Sequence, residues 1–395
     1  MGYSPITRNK WLLCRFGGIG DAVILTVVAR EIKKQYPQAQ IHFCVPEHQV
    51  CLFNNLSLFE KVIPTKRFSH QQIDCIPSED GWIAIESIKP HYDIVIDYKF
   101  SIEGNGQYGN FAGKQGTFML TQNSNYQNWI DLSLGWADID PETVFDKRPV
   151  YKVEPEEEKW AKRAINALPN SKVIGLQLTA SSLMRTFYAQ EQLPRYIFEF
   201  DPDATIVAYA NDLSWVVLTK FGPKRIGLEQ DKALRQSAAL ISQMNYFISA
   251  DSGFAHIAQA MGTSKQIIIY TTVPGWTRAK YFTKTKTVET AGRLSCSPCF
   301  LIHRYCPVNM RRAEEQLSDR ERAVMQLSQQ NLPIHQAAFQ LNTTPEGLQA
   351  EFQAANGKLQ GLANVVPDCI QSITPEMIME KLREFYEEEK VLKVA

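Results

Sequence analysis

An α/β protein built from two Rossmann-like β-α-β domains in tandem, facing each other across a cleft and followed by a helical, cysteine-bearing extension, is the fold this sequence predicts. Three observations predict it. The apolar run Trp11–Phe16 ends in Gly17-Gly18-Ile19-Gly20-Asp21 and passes at once into an apolar helical stretch from Ala22 to Gln35. The same arrangement recurs within Asn245–Thr263, where a buried strand around Tyr246–Ile248 meets Asp251-Ser252-Gly253 and then the small, apolar, helix-compatible run Phe254–Met261. Between the two, Val153-Glu-Pro-Glu-Glu-Glu-Lys-Trp160 shifts abruptly from apolar strands to charge and marks a domain boundary.

Composition narrows the function classes. With 395 residues, 44% of them hydrophobic and 21% charged, the chain is long enough for two domains with cores of their own. Lys+Arg and Asp+Glu both number 42, so the overall charge balance gives no reason to expect a nucleic-acid partner. The first residues lack the long apolar region of a secretion signal, and no apolar run reaches the roughly 18 residues of a membrane span, so a cytoplasmic protein is expected. Of eight cysteines, Cys14, Cys44, Cys51 and Cys75 are scattered, which suits reduced buried thiols better than a disulfide framework.

Taken in order, residues 1–152 form the first domain, with strands at Trp11–Phe16, Ile41–Val45, Val62–Ile63 and Tyr92–Asp97. Its glycine turn resembles a dinucleotide fingerprint, but Val23 stands where the third glycine should be and the lysine of a P-loop is missing. What remains is a tight turn that presents Asp21 at the carboxyl edge of the sheet, either as a helix cap or as a reactive group. The polar, glycine-rich segment 101–116 reads as a loop that helps hold an acceptor. Residues 153–295 form the second domain. Its expected order is strand Val173–Leu178, a loop through Ser181, Ser182 and Arg185, strand Thr205–Tyr209, a helix near Trp215, a helix over Ala233–Gln243, the strand-turn-helix described above, and strand Gln266–Tyr270 closing the core.

The turn at Asp251-Ser252-Gly253 is where ligand chemistry is expected. Unpaired N–H groups at a helix start, with their partial positive charge, make an anion site, and Gly253 lets a ligand approach the backbone. Asp251 does not favour phosphate, so a carboxylate beside that site points to a ligand that also offers hydroxyls, as a sugar nucleotide does. His256 faces the same crevice or packs in the core behind an ordinary capped turn. Ligands of open α/β sheets sit at the carboxyl ends of the strands, which sets Asp21 opposite Asp251-Ser252-Gly253, with Asn211 at the edge that meets ribose or base.

Arg15-Phe-Gly-Gly-Ile-Gly-Asp-Ala-Val-Ile-Leu-Thr26, with Tyr36-Pro37 after the helix, resembles the N-terminal signature of the heptosyltransferase family, glycosyltransferase family nine. Ser249-Ala-Asp-Ser-Gly-Phe-Ala-His-Ile-Ala258 is similar to its C-terminal signature. The resemblance implies a GT-B fold, a donor such as ADP-heptose, and transfer with inversion to a hydroxyl of a protein or lipopolysaccharide, without a catalytic metal. On that likeness Asp21 matches the general base, Ser252 and Gly253 the diphosphate-binding turn, and Asp251 the carboxylate that grips sugar hydroxyls. Arg185, in Ala180-Ser-Ser-Leu-Met-Arg-Thr-Phe187, stands where the family usually carries a lysine, and Val27 where it often has proline. The expected donor-binding set is Gly18, Gly20, Ser181, Arg185, Asn211, Asp251, Ser252, Gly253 and His256.

Past the two domains, residues 296–395 introduce Cys296-Ser-Pro-Cys299, Cys306 after a six-residue gap, and the remote Cys369. Four thiolates suit one tetrahedral structural Zn or Fe ion, against the alternative of reduced, unliganded thiols. Similar cysteine-rich tails, ending in a segment like Ile373-Thr-Pro-Glu-Met-Ile378, occur in this family, notably in the iron-binding heptosyltransferases that modify autotransporters. Ser318-Asp-Arg-Glu321 is a capping box opening a helical insert, whose mixed charges suit a helical hairpin or a homo-oligomer contact better than a DNA-binding motif. The final helix, from Pro375 to Lys390, is expected to pack back on the body. Two functions follow: a nucleotide-sugar transferase, or a metal-stapled binding or regulatory protein that keeps the fold without turnover.

Overall fold

The computed structural model describes residues 9–68, 73–98, 128–169, 172–210, 213–218, 223–290, 294, 306–328, 333–363 and 366–394. The first sheet holds β1 (Lys10–Cys14), β2 (Gln40–Pro46), β3 (Lys61–Phe68), β4 (Ile73–Ser78), β5 (Gly81–Ala84) and β6 (Ile94–Asp97), in the order β5-β4-β3-β2-β1-β6. Strands β6, β1, β2 and β3 run parallel, and β3-β4-β5 form an antiparallel meander at one edge. Leu12 and Leu13 on β1 and Phe43 on β2 are fully buried, as expected for central parallel strands with both faces covered. Helix α1 (Ile19–Gln35) links β1 to β2 and packs against α2 (Trp129–Trp136), while α3 (Pro155–Asn166) leads into the second half.

The second sheet is larger. It contains β7 (Val173–Gln177), β8 (Thr205–Tyr209), β9 (Ser214–Leu218), β10 (Lys224–Gly227), β11 (Tyr246–Ala250), β12 (Lys265–Tyr270) and β13 (Thr285–Glu289), in the order β10-β9-β8-β7-β11-β12-β13. Between them lie α4 (Leu193–Phe200), α5 (Ala233–Ser242), α6 (Gly253–Met261) and α7 (Trp276–Ala279). The parallel core runs from β8 to β13, while β9 and β10 turn back antiparallel.

Two expectations need correction. The segment at Trp215 is strand, not helix: Leu213 adopts φ 57°, reversing the chain, and Trp215 then pairs with Tyr209 across the β8–β9 ladder. An aromatic residue followed by two valines fits a pleated surface, and Trp215, fully buried, donates from its indole nitrogen to Ser237 Oγ at 3.1 Å. Strand β12 does not close the sheet, because Thr285-Lys-Thr-Val-Glu289 adds β13 outside it. In β13 only Val288 is buried, the pattern of an edge strand.

The extension carries α8 (Pro307–Glu315), α9 (Asp319–Ser328), α10 (Ile334–Gln340), α11 (Pro345–Ala363), α12 (Asp368–Gln371) and α13 (Pro375–Val394). The capping box is formed: the Ser318 N–H donates to Glu321 Oε2 at 2.7 Å and the Glu321 N–H to Ser318 Oγ at 3.2 Å. Helix α13 returns to the second sheet, where Ile378, Met379 and Leu382 share a cluster with Ile248, Ile267 and Ile269. A different cluster joins the two halves, with Val23 and Val27 of α1 against Phe254 and Ile257 of α6. The starts of α1 and α6 therefore meet at the carboxyl edges of both sheets.

Candidate active site

Arg15 leaves β1 pointing inward and is 1% exposed. Its Nη1 donates to the Tyr98 carbonyl at 3.0 Å and its Nη2 to Asp21 Oδ2 at 2.7 Å. Gly18 occupies the cap position of α1, so Asp21 lies in the first turn and is not the cap. Burial by itself would raise the Asp21 pKa, but the charge and hydrogen bond of Arg15, helped by Arg278 and His256, hold the carboxyl below its usual value. The group is an ionised carboxylate at neutral pH.

On the opposite side, Ser252 caps α6 by position only. Its hydroxyl bonds to Gln177 Oε1 and makes no side-chain cap to the helix, which leaves the N–H groups of that start for a ligand. The glycines are required by space. A Cβ on Gly253 would lie 2.6 Å from Ile19 Cβ, and one on Gly20 would lie 2.4 Å from His256 Cδ2. The two turns thus touch each other, each needing hydrogen where the other chain passes.

His256 sits beneath this contact, 4% exposed and edge-on to Phe282 at 5.5 Å between ring centroids. Its Nδ1 is buried with no hydrogen-bond partner among the described residues. Burial lowers its pKa, against the pull of Asp251 and Asp21, so the ring is neutral in the folded protein. Unfolded, the same imidazole titrates near its ordinary value of about 6.5 and takes up a proton that the folded chain refuses. The stability it contributes is complete above that value and is lost as pH falls toward and through the lowered folded pKa. Denaturant titrations should show the stability difference between the native chain and His256→Gln shrinking by up to about 1.4 kcal/mol per pH unit below pH 6.5. A difference that does not change with pH would mean His256 is not held neutral.

The loop after β7 winds into a single 3-10 turn, Leu183–Arg185, capped by Ser182 Oγ, which accepts from the Met184 N–H at 3.2 Å. This aims Arg185 at the start of α6. Its Nη1 donates to the Asp251 carbonyl at 3.1 Å and lies 3.7 Å from Asp251 Oδ2, and its Nη2 donates to Ser181 Oγ at 2.7 Å. All these groups open onto one cavity of about 500 Å³, which brings together Gly18, Gly20, Asp21, Ser181, Arg185, Asp251, Ser252, Gly253 and His256. Asn211 lies outside the described residues, as does the glycine-rich segment 101–116.

The cavity also holds residues that sequence reasoning missed. Gln49, 1% exposed, donates from Nε2 to the Gly17 carbonyl at 2.8 Å, and its buried Oε1 has no partner among the described residues; His48 stands beside it. Arg278 enters from α7, after Pro274-Gly-Trp-Thr. Neither belongs to a recognisable motif. The available signal is positional, since both follow the carboxyl end of a parallel strand, β2 for Gln49 and β12 for Arg278.

Of the four candidate metal ligands, Cys306 and Cys369 come together in one buried cluster with Met184 and Ile370. Cys296 and Cys299 lie outside the described residues. Among the described residues no group of three or more metal-ligating side chains assembles. The donor chemistry of the two that are placed, buried thiols at a shared spot, is compatible with half of a tetrahedral thiolate site.

Comparison with known proteins bears on the second half of this cavity. Residues 227–307 match the family model of glycosyltransferase family 9 (heptosyltransferase), a span that includes Asp251, Ser252, Gly253, His256 and Arg278 but not the turn of Asp21. Among solved structures, the glycosyl transferase family 9 protein from Veillonella parvula DSM 2008 superposes with a TM-score of 0.51 at 13% identity, covering 71% of this chain and 86% of that one. The E. coli ADP-heptose lps heptosyltransferase II gives 0.44 at 13% identity, with 71% and 90% covered. The iron-containing dodecameric glycosyltransferase TibC from enterotoxigenic E. coli H10407 gives 0.46 at 10% identity, with 89% and 77% covered. No curated protein matches the chain. Over residues 227–307 the chain is similar to the heptosyltransferase family, and its pair of α/β sheets shares the fold of a solved family 9 glycosyl transferase.

Proposed function

We propose that the protein transfers a heptose from ADP-heptose to a hydroxyl of a protein or lipopolysaccharide acceptor, with inversion at the anomeric carbon and Asp21 as general base. The observation that carries this reading is the shared cavity, where an ionised carboxylate on α1 faces a helix start, an arginine and a second carboxylate on the other sheet. Asp21 Oδ2 is engaged by Arg15, which leaves Oδ1 to take the acceptor proton as the hydroxyl attacks. Charge gathering on the departing diphosphate falls on the α6 N–H groups and Arg185, while Asp251 accepts from sugar hydroxyls. Attack from the Asp21 side, opposite the diphosphate, inverts the configuration in one displacement. In this reading residues 1–152 present the acceptor and 153–295 hold the donor. Among the described residues no helix is long and apolar enough to cross a membrane, and we read the protein as acting in the cytoplasm.

Incubation with ADP-heptose and candidate acceptors, with UDP-sugars as comparison donors, should release ADP in step with a heptose-sized mass gain on the acceptor. Absence of both with every donor, from a protein that still binds ADP, would favour a binding protein over an enzyme.

For the tail, the reading is a structural Fe or Zn ion on Cys296, Cys299, Cys306 and Cys369, which would tie the chain after β13 to α12 without entering the sugar chemistry. Metal analysis should find close to one ion per chain, and Cys306→Ser should lose it together with thermal stability. A full equivalent retained in Cys306→Ser would remove that residue from the site.

A further inference from the structure

Arg185 is the cation expected from sequence for the donor phosphates, but much of its charge is already used. It lies 3.7 Å from the Asp251 carboxylate, and two of its nitrogens donate to the Asp251 carbonyl and to Ser181. A departing nucleoside diphosphate gains a full negative charge as the glycosidic bond breaks, and a helix start supplies only about half a positive charge. The cavity contains a second guanidinium placed differently.

Arg278 extends from α7 into the same cavity as Asp21, Asp251 and Arg185. Among the described residues its hydrogen bonding amounts to one 3.4 Å contact with Thr277 Oγ1. It is held by stacking: its guanidinium carbon lies 4.2 Å from the ring centroid of Trp129, which belongs to α2 of the other half. Neighbouring contacts fasten α2 to the α7 segment. Asn128 Nδ2 donates to the Trp276 carbonyl at 2.9 Å, and the Tyr281 hydroxyl donates to Asp131 Oδ2 at 2.7 Å, with Lys147 Nζ on Asp131 Oδ1 at 2.7 Å. Burial lowers the Arg278 pKa, partly opposed by Asp251 and Asp21, yet an arginine remains a cation at neutral pH. A desolvated cation so oriented, with its donors largely unspent, has the chemistry of an anion ligand awaiting its anion.

We propose that Arg278 is a second phosphate-binding residue for the leaving nucleoside diphosphate, and that Trp129 positions it across the domain boundary. The proposal rests on the reading of the cavity as a nucleotide-sugar site. It makes full recognition of the diphosphate depend on the α2–α7 clasp, so that leaving-group stabilisation is available when the two halves are joined.

Calorimetry with ADP, AMP and inorganic pyrophosphate on the native chain, Arg278→Ala, Arg278→Lys and Trp129→Leu tests it. Arg278→Ala should weaken ADP and pyrophosphate about 10- to 100-fold and AMP less than about threefold, because a charge-assisted contact to the outer phosphate is lost and the nucleoside contacts remain. Arg278→Lys should recover part of the loss. Trp129→Leu should weaken ADP in the native background and add nothing in Arg278→Ala, which a merely structural role for Trp129 would not produce. ADP affinity unchanged in Arg278→Ala, an equal loss for ADP and AMP, or a change confined to acceptor KM would each overturn the proposal. If the native chain binds pyrophosphate but not ADP, the nucleotide assignment is wrong and the pyrophosphate arm still decides the role of Arg278. Binding of neither overturns both readings.

Discussion

Asp21→Asn is expected to lower turnover by about two or more orders of magnitude while leaving donor affinity close to that of the native chain. The asparagine is nearly the same shape and its carbonyl oxygen can still accept from Arg15 Nη2, now 2.7 Å from Oδ2, so the start of α1 should keep its geometry. What disappears is the ionised oxygen proposed to take the acceptor proton. Because Arg15 holds the Asp21 pKa below its usual range, the native protein should also keep this carboxylate ionised well into mildly acidic solution. Steady-state rates with ADP binding measured in parallel check both statements. Near-native turnover in Asp21→Asn would remove Asp21 from the catalytic role, and an equal loss of donor affinity would mark it as structural.

Gly253→Ala should weaken donor binding by about 10- to 100-fold and lower thermal stability, although alanine is the better helix former by about 1 kcal/mol. The added methyl would stand 2.6 Å from Ile19 Cβ and 2.9 Å from its Cγ2, atoms fixed close to the α1 backbone that cannot swing aside. Overpacking of this kind costs about 1–3 kcal/mol, which outweighs the helix gain and pushes the two helix starts apart at the cavity. Gly357→Ala supplies the contrast, since nothing lies within 4 Å of a Cβ there and the exposed α11 position should gain about 0.5–1 kcal/mol. Thermal melts with donor titrations on both variants separate the two effects. A stabilised Gly253→Ala with native affinity would show that the contact between the two turns is loose.

Much of the framework was legible in the chain because it depends on neighbours in sequence. The strand-glycine-helix passages at Gly17–Asp21 and Asp251–Gly253, the apolar strands β1, β2, β7, β8 and β11, the capping box at Ser318 and the amphipathic α13 all rest on local periodicity and turn chemistry. The strand at Ser214–Leu218 did not read correctly, since five residues with one tryptophan become strand through pairing with β8 and a reversal at Leu213. The meander β4–β5 and the edge strand β13 went unread for a similar reason, being short segments stabilised by a ladder partner.

By itself the sequence determined that two α/β halves each offer a glycine turn at a strand's carboxyl end, that Asp21 and Asp251 lie on those turns, and which family they resemble. Only the tertiary structure decided how those turns meet. The pairing of Arg15 with Asp21, the arrival of Gln49 and Arg278 in the same cavity, and the contact of Gly20 with His256 join residues separated by up to 236 positions in one case, Gly20 to His256, and by 6 in another, Arg15 to Asp21. Such contacts have no period and no local propensity. They arise because burying the apolar faces of α1 and α6 against each other draws the two helix starts together, and whatever side chains stand at those starts are then held at one place.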